Sequence, residues 1–130
     1  MIGPVITFKS WSSLFNIMSL KNYDIDEMAN ILKVLGDPTR LHILKLISER
    51  ELCVCEISSI LDLSQSNVSQ HLAKLRSVNL VRERKRAQWV YYSLNPEPFP
   101  LLLEILRNLP DVSVELKRGE RVAENNRCKI

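Results

Sequence analysis

Two cysteines, Cys53 and Cys55, stand one residue apart in the stretch ELCVCEI at 51–57. Thiolates are soft donors, so such a pair suits a thiophilic ion and is poorly matched to a hard cation. Residues two apart on a regular helix point to roughly opposite sides. The pair can therefore converge on one ion only where the start of a helix is irregular or unwinds on binding. A helix N-terminus also favours thiolate over thiol, which predicts a pair readied for ligation. Two other readings stand beside this one: cysteine as a small buried hydrophobe, and adjacent thiols that oxidise. No histidine and acid are placed to activate a catalytic thiol, so the pattern points away from an enzyme. His42 has no second ligand at i+4 and reads as structural, and His71 as structural or close to a polyanion.

The residues that follow carry a second kind of information. Asp62-Leu63-Ser64 reads as a turn, with Ser64 as the N-cap of a helix over about Gln65 to Val78. Val68, Leu72 and Leu75 give that helix a core face. Ser64, Gln65, Ser66, Asn67, Ser69, Gln70 and Lys74 form its polar side, which contains no acid. Exposed helices ordinarily carry Glu/Lys pairs; short Ser, Gln and Asn side chains suit the reading of base edges in a major groove. Leu80 to Leu94 reads as a hairpin of strand-forming residues with a basic tip at Arg84, Lys85 and Arg86. After a helix-turn-helix, such a hairpin is a wing able to lie along phosphates or enter the minor groove.

The elements that must position these groups are legible on either side. Ile25, Met28, Ala29, Leu32 and Leu35 give a first helix its apolar stripe, capped by Asp24 and ended by Gly36. Asp37-Pro38 opens a second helix with Leu41, Leu44 and Ile47 on one face. The cysteine-bearing helix is expected over about Val54 to Leu61, burying Ile57, Ile60 and Leu61. Leu101, Leu102, Leu103, Ile105, Leu106 and Leu109 place six apolar residues in nine. They wrap too far round a helix to face one small core, and the surplus predicts a second subunit. Pro110 ends or kinks this helix. Residues 111–130 are charged and weakly patterned. At the other end, Ser10, Trp11, Leu14, Phe15 and Met18 suggest an extra amphipathic helix within an N-terminal extension, 1–23.

At 130 residues the chain is one domain with an ordinary globular composition. Its net charge of +3 decides little, but the distribution does. Ser64 to Asn95 holds six basic residues against the lone acid Glu83, whereas Ile25 to Asp62 has more acids than bases. This asymmetry is the footprint of a polyanion partner. Three cysteines make a poor disulfide framework and fit a reducing cytoplasm. No apolar run approaches the roughly 20 residues that span a bilayer, so no membrane role is expected.

From about Asp24 to Leu109 the chain resembles the ArsR/SmtB family of metal-responsive repressors. The matching pieces stand in family order: LGDPTRLHIL at 35–44, ELCVCEI at 51–57, LSQSNVSQHLAKLR at 63–76 and RERKRAQWVYYSL at 82–94. ELCVCEI is similar to the ELCVCDL box of the branch that senses arsenite and antimonite. The resemblance implies a mainly α, winged helix-turn-helix fold with a β-hairpin wing (α+β), spanning 24–109 and followed by a C-terminal tail, 110–130. It implies a homodimer joined through the first and last helices, with Leu102, Leu103, Ile105, Leu106 and Leu109 in the contact. It further implies repression from a two-fold double-stranded operator, and release when arsenite or antimonite binds Cys53 and Cys55. Cadmium, lead, copper(I) or thiol oxidation are the alternative signals; no organic cofactor is implied.

Three positions depart from the family pattern. Ser58 stands where the arsenite box usually has its third cysteine, and a hydroxyl does not replace a thiolate on a soft ion. Cys128, water or a small cellular thiol is then the candidate third ligand. Asn79 and Ala87 occupy turn positions where glycine is common.

Overall fold

The computed structural model describes residues 23–124. The helix expected around Trp11 and the candidate ligand Cys128 lie outside the described residues.

Helix α1 (Ile25–Leu35) begins where the Asp24 carboxylate accepts the Glu27 N–H at 2.7 Å. Its core face is Ile31, Val34 and Leu35. The stripe expected to be buried is turned mostly outward: Ile25 is 87% and Leu32 53% exposed, and Ala29 is exposed as well. Helix α2 (Pro38–Glu49) starts at Asp37, which accepts the Arg40 N–H at 3.0 Å, with Pro38 in the first turn. It buries Ile43, Leu44, Leu46 and Ile47.

A two-residue strand, β1 (Leu52–Cys53), runs straight into helix α3 (Val54–Leu61). Asp62 closes α3 in the left-handed conformation, φ 54°. Helix α4 (Gln65–Ser77) follows, its Ser64 hydroxyl accepting the Asn67 N–H at 3.0 Å. Val68, Leu72 and Leu75 are its buried face, as the spacing predicts. Strands β2 (Val81–Arg86) and β3 (Trp89–Leu94) form the hairpin, closed by Ala87 and Gln88 with Ala87 at φ 55°. The sheet is antiparallel in the order β1-β3-β2, so the short strand before α3 is part of the wing.

Helix α5 (Leu101–Arg107) corrects part of the expected subunit contact. Leu102 is fully buried and Leu106 nearly so, both within the protomer's own core. Leu101, Ile105 and Leu109 are half-buried against that core, and only Leu103 is substantially exposed, at 41%. Most of the apolar surplus is therefore absorbed within the protomer, whose core is extended by one more helix than the apolar pattern predicts.

That element is α6 (Ser113–Glu124), formed from what reads in sequence as a charged tail. Val112 and Leu116 join the main core, and Gly119 lies against Ile60 of α3. A Cβ at Gly119 would stand 2.6 Å from Ile60 Cδ1, so a larger residue here requires the Ile60 side chain to shift. Arg118 Nη2 donates to the Ile60 carbonyl at 2.8 Å, and Arg50 Nη2 to the Leu116 carbonyl at 3.3 Å. Among the described residues, no helix is long and apolar enough to cross a membrane.

Candidate functional site

Cys53 occupies the N-cap of α3 with extended backbone, φ −91° and ψ 166°, while Cys55 lies within the first helical turn. The irregularity that the pair needs in order to converge is thus built into a strand-to-helix junction. Both side chains are buried. The Cys53 thiol donates to Glu56 Oε1 at 3.3 Å, and its backbone N–H donates to the same oxygen at 3.2 Å. Glu56 is itself 7% exposed and is paired with Arg50 Nη1 at 3.3 Å.

The expectation of a readied thiolate at Cys53 is corrected by this environment. Burial, reinforced by the Glu56 carboxylate, pushes the Cys53 thiol up from its ordinary value, and the N-terminal amides do not compensate. Cys55 is engaged in a disulfide, which departs from the expected free ligand pair. Ser58, at the position of a third cysteine, has a local role: its hydroxyl donates to the Leu63 carbonyl, and its carbonyl accepts the Leu63 N–H at 3.1 Å. It ties α3 to the turn before α4. Among the described residues no group of three or more His, Cys, Asp or Glu side chains could hold a metal. Two sulfurs suit a soft ion, the nearby Glu56 carboxylate does not, and a third soft donor must come from elsewhere.

The polar residues of α4 form the second part of the site. Ser64, Gln65, Ser66, Asn67, Ser69, Gln70 and Lys74 are all exposed. The helix is held from behind by Arg40, which donates to the Val34 carbonyl at 2.6 Å and contacts His71 Nδ1 at 3.3 Å; Asp37 lies 3.8 Å from the same ring nitrogen. His71 is thereby a strut between α2 and α4. His42 pairs with Glu115 at 2.6 Å and joins α2 to α6, in keeping with a structural reading.

Arg84, Lys85 and Arg86 are exposed on β2. Arg84 is not simply presented to solvent. Its Nη2 donates to Glu51 Oε1 at 2.6 Å and its Nε to Glu51 Oε2 at 3.1 Å, a bidentate pair. This contact holds the Glu51 carboxyl below its usual range. The guanidinium carbons of Arg84 and Arg86 each lie 5.9 Å from the centre of the Tyr91 ring. Arg76 of α4 forms an ion pair with Glu83 of β2, joining helix to wing. The contacts of Glu51 and Tyr91 with Arg84 escape sequence reading, because they depend on which strands pair. The local signals of this region are Glu51, two residues before Cys53, and Glu56, three after it at the spacing of a capping box.

The comparisons with known proteins agree with this geometry. The family model described as "Bacterial regulatory protein, arsR family" matches residues 37–83. The chain is 42% identical over 86 residues to an arsenic resistance transcriptional regulator, ArsR1, of Pseudomonas putida, covering 65% of this chain and 67% of that protein. It is 49% identical over 67 residues to the arsenical resistance operon repressor of Escherichia coli K12, covering 51% of this chain and 57% of that protein. The solved structure of reduced HlyU from Vibrio cholerae superposes with a TM-score of 0.59 at 40% identity, covering 66% of this chain and 92% of that one. With an exposed acid-free helix, a wing continuous with the cysteine-bearing strand, and relatives of this similarity, the chain belongs to the ArsR family of winged-helix, DNA-binding transcriptional regulators.

Proposed function

We propose that this chain is a homodimeric repressor that binds a two-fold operator in the cytoplasm and leaves it when arsenite or antimonite binds Cys53 and Cys55. The observation that carries the reading is the position of the two cysteines. They straddle the junction from β1 to α3, the helix whose other end leads into the turn that sets α4. Drawing both sulfurs onto one ion rearranges that junction, and the Ser58–Leu63 bonds transmit the strain to the start of α4. The relatives named for arsenic resistance support the choice of ion. Outward apolar residues on α1 and α5, Ile25, Leu32 and Leu103, support the subunit contact. Gln65, Ser66, Asn67, Ser69 and Gln70 face the bases in this reading, with Ser64, Lys74, Arg84, Lys85 and Arg86 toward the backbone. Cys128, a water or a small thiol supplies the third donor.

The test is operator release measured against arsenite concentration under reducing conditions. Cys53→Ser and Cys55→Ser should each keep operator binding and lose release; Cys128→Ser should shift the concentration needed. If both serine variants respond like the parent, the pair is structural. Thiol oxidation is a second reading, supported by a disulfide at Cys55 whose partner is not Cys53, which keeps a free thiol. It requires that oxidant alone, without any ion, alter operator binding, and that Cys55→Ser abolish that response.

A further inference from the structure

The strand register places three residues in one row across the sheet. Cys53 of β1 is paired with Tyr91 of β3, and Tyr91 is paired with Arg84 of β2. Side chains directly opposite in an antiparallel ladder point to the same face. The row is closed by a second connection outside the backbone ladder, since Glu51, two residues before Cys53, grips Arg84 with both carboxylate oxygens. Tyr91 then lies within cation–π distance of Arg84 and Arg86. The cysteine-bearing strand is thus tied to the wing by main-chain pairing, by a bidentate ion pair and by a shared aromatic ring.

We infer that Glu51 and Tyr91 are positioning residues that carry a rearrangement at Cys53 to the wing arginines, so that the wing is moved by the sensing strand as well as α4 by the turn. In this arrangement Arg84 approaches phosphate while held by Glu51, a tether that sets the course of β2 and with it the placement of Lys85 and Arg86. β1 has only two residues, so a shift of Cys53 toward an ion disturbs half of its pairing with β3. Glu51 moves with it and draws on Arg84. The inference rests on the proposed sensing role of Cys53 and deepens it.

The experiment uses the full chain with Trp11→Phe, which leaves Trp89 at the start of β3 as the sole tryptophan and a reporter for the wing. Arsenite is added to the reduced protein. Uptake is followed by equilibrium dialysis, the wing by Trp89 emission, and DNA by anisotropy of a labelled operator fragment. In the parent, arsenite changes Trp89 emission and weakens operator binding. Glu51→Ala should take up arsenite as the parent does and lose most of the Trp89 change. Its arsenite-dependent loss of operator affinity should shrink by about five-fold or more, the lower end of ordinary coupling between sites. Glu51→Gln, which keeps one acceptor oxygen, should fall between the two. Arg84→Gln cuts the same bond from the wing side and serves if Glu51→Ala folds poorly. Combining Arg84→Gln with Glu51→Ala should add nothing further. Normal uptake with a parental Trp89 response in both Glu51→Ala and Arg84→Gln overturns the link and leaves the sensing role standing. A parent that takes up arsenite with no Trp89 change does the same. A parent that takes up no arsenite overturns the sensing role and the link together.

Discussion

Gly119 of α6 lies so close to Ile60 of α3 that an added Cβ would stand 2.6 Å from Ile60 Cδ1 and displace that side chain. Gly119→Leu should force α6 away from α3 or push Ile60 off its rotamer. The expected loss is about 1–3 kcal/mol, the usual range for overpacking. Urea denaturation measures it, and a parental midpoint would show that α6 does not pack here in solution.

The subunit contact is open to a pair of opposed variants. Leu103→Glu changes an exposed residue and should leave the protomer folded while sedimentation shows monomer. Leu102→Ala removes a fully buried side chain and should cost about 2–5 kcal/mol of protomer stability. A soluble, fully dimeric Leu103→Glu protein would remove Leu103 from the interface.

Operator binding should separate reading from anchoring. Lys85→Ala should weaken all DNA sequences alike and reduce the salt slope by about one. Gln65→Ala and Ser69→Ala should relax base preference, by about 1–3 kcal/mol where the side chain made a bidentate pair with a base. Equal losses on specific and random DNA for Gln65→Ala and Ser69→Ala would deny α4 its reading role.

Asp37 makes stability depend on pH. Its carboxylate accepts the Arg40 N–H at the start of α2, and this bond, ahead of the nearby charges of Arg40 and His71, holds its pKa below the ordinary value. A folded-state pKa that is depressed means stability fully present above the unfolded carboxylate value and lost as pH falls through the folded one. Asp37→Asn keeps a capping acceptor and should flatten this acid limb. Asp37→Ala should cost about 1 kcal/mol at neutral pH. Thermal melts from neutral to acid pH distinguish these outcomes, and an unchanged limb in Asp37→Asn would move the effect to another carboxylate.

Ala87 holds a left-handed conformation at the wing turn, φ 55°. Ala87→Gly should relieve about 1 kcal/mol of backbone strain, partly offset by the greater freedom of glycine in the unfolded chain. A small rise in melting temperature with unchanged operator affinity is expected. A fall would mean that the turn gains more from the alanine side chain than it loses to strain.

Local signals carry most of the fold. Asp24, Asp37 and Ser64 each cap the helix that their position announces, and the Val68, Leu72, Leu75 spacing reports the buried face of α4. Ile25 and Leu32 mislead because an apolar stripe does not say whether its partner is the chain's own core or another surface. α6 is invisible because its buried positions are Leu116 and Gly119, with Val112 just before it, and a glycine at the closest approach adds nothing to an apolar pattern. The cysteine pair is legible; its surroundings are not. Glu56 meets Cys53 across one helical turn, but Arg50 and Arg84 come to this region only through tertiary folding and strand register, which no local period records.

Arg118 and Ile60 are 58 residues apart in sequence, and their hydrogen bond fastens the end of the described fold to its middle. Contacts of such separation close large loops at an entropic cost. On a ribosome, α4 and the wing emerge before the helix that covers α3. A chain cut after Leu109, where the run of family motifs stops, would keep every DNA-facing residue yet leave Ile60 bare and Arg50 without its Leu116 acceptor. The packing that buries α3 therefore extends beyond the piece that the DNA-binding motifs define.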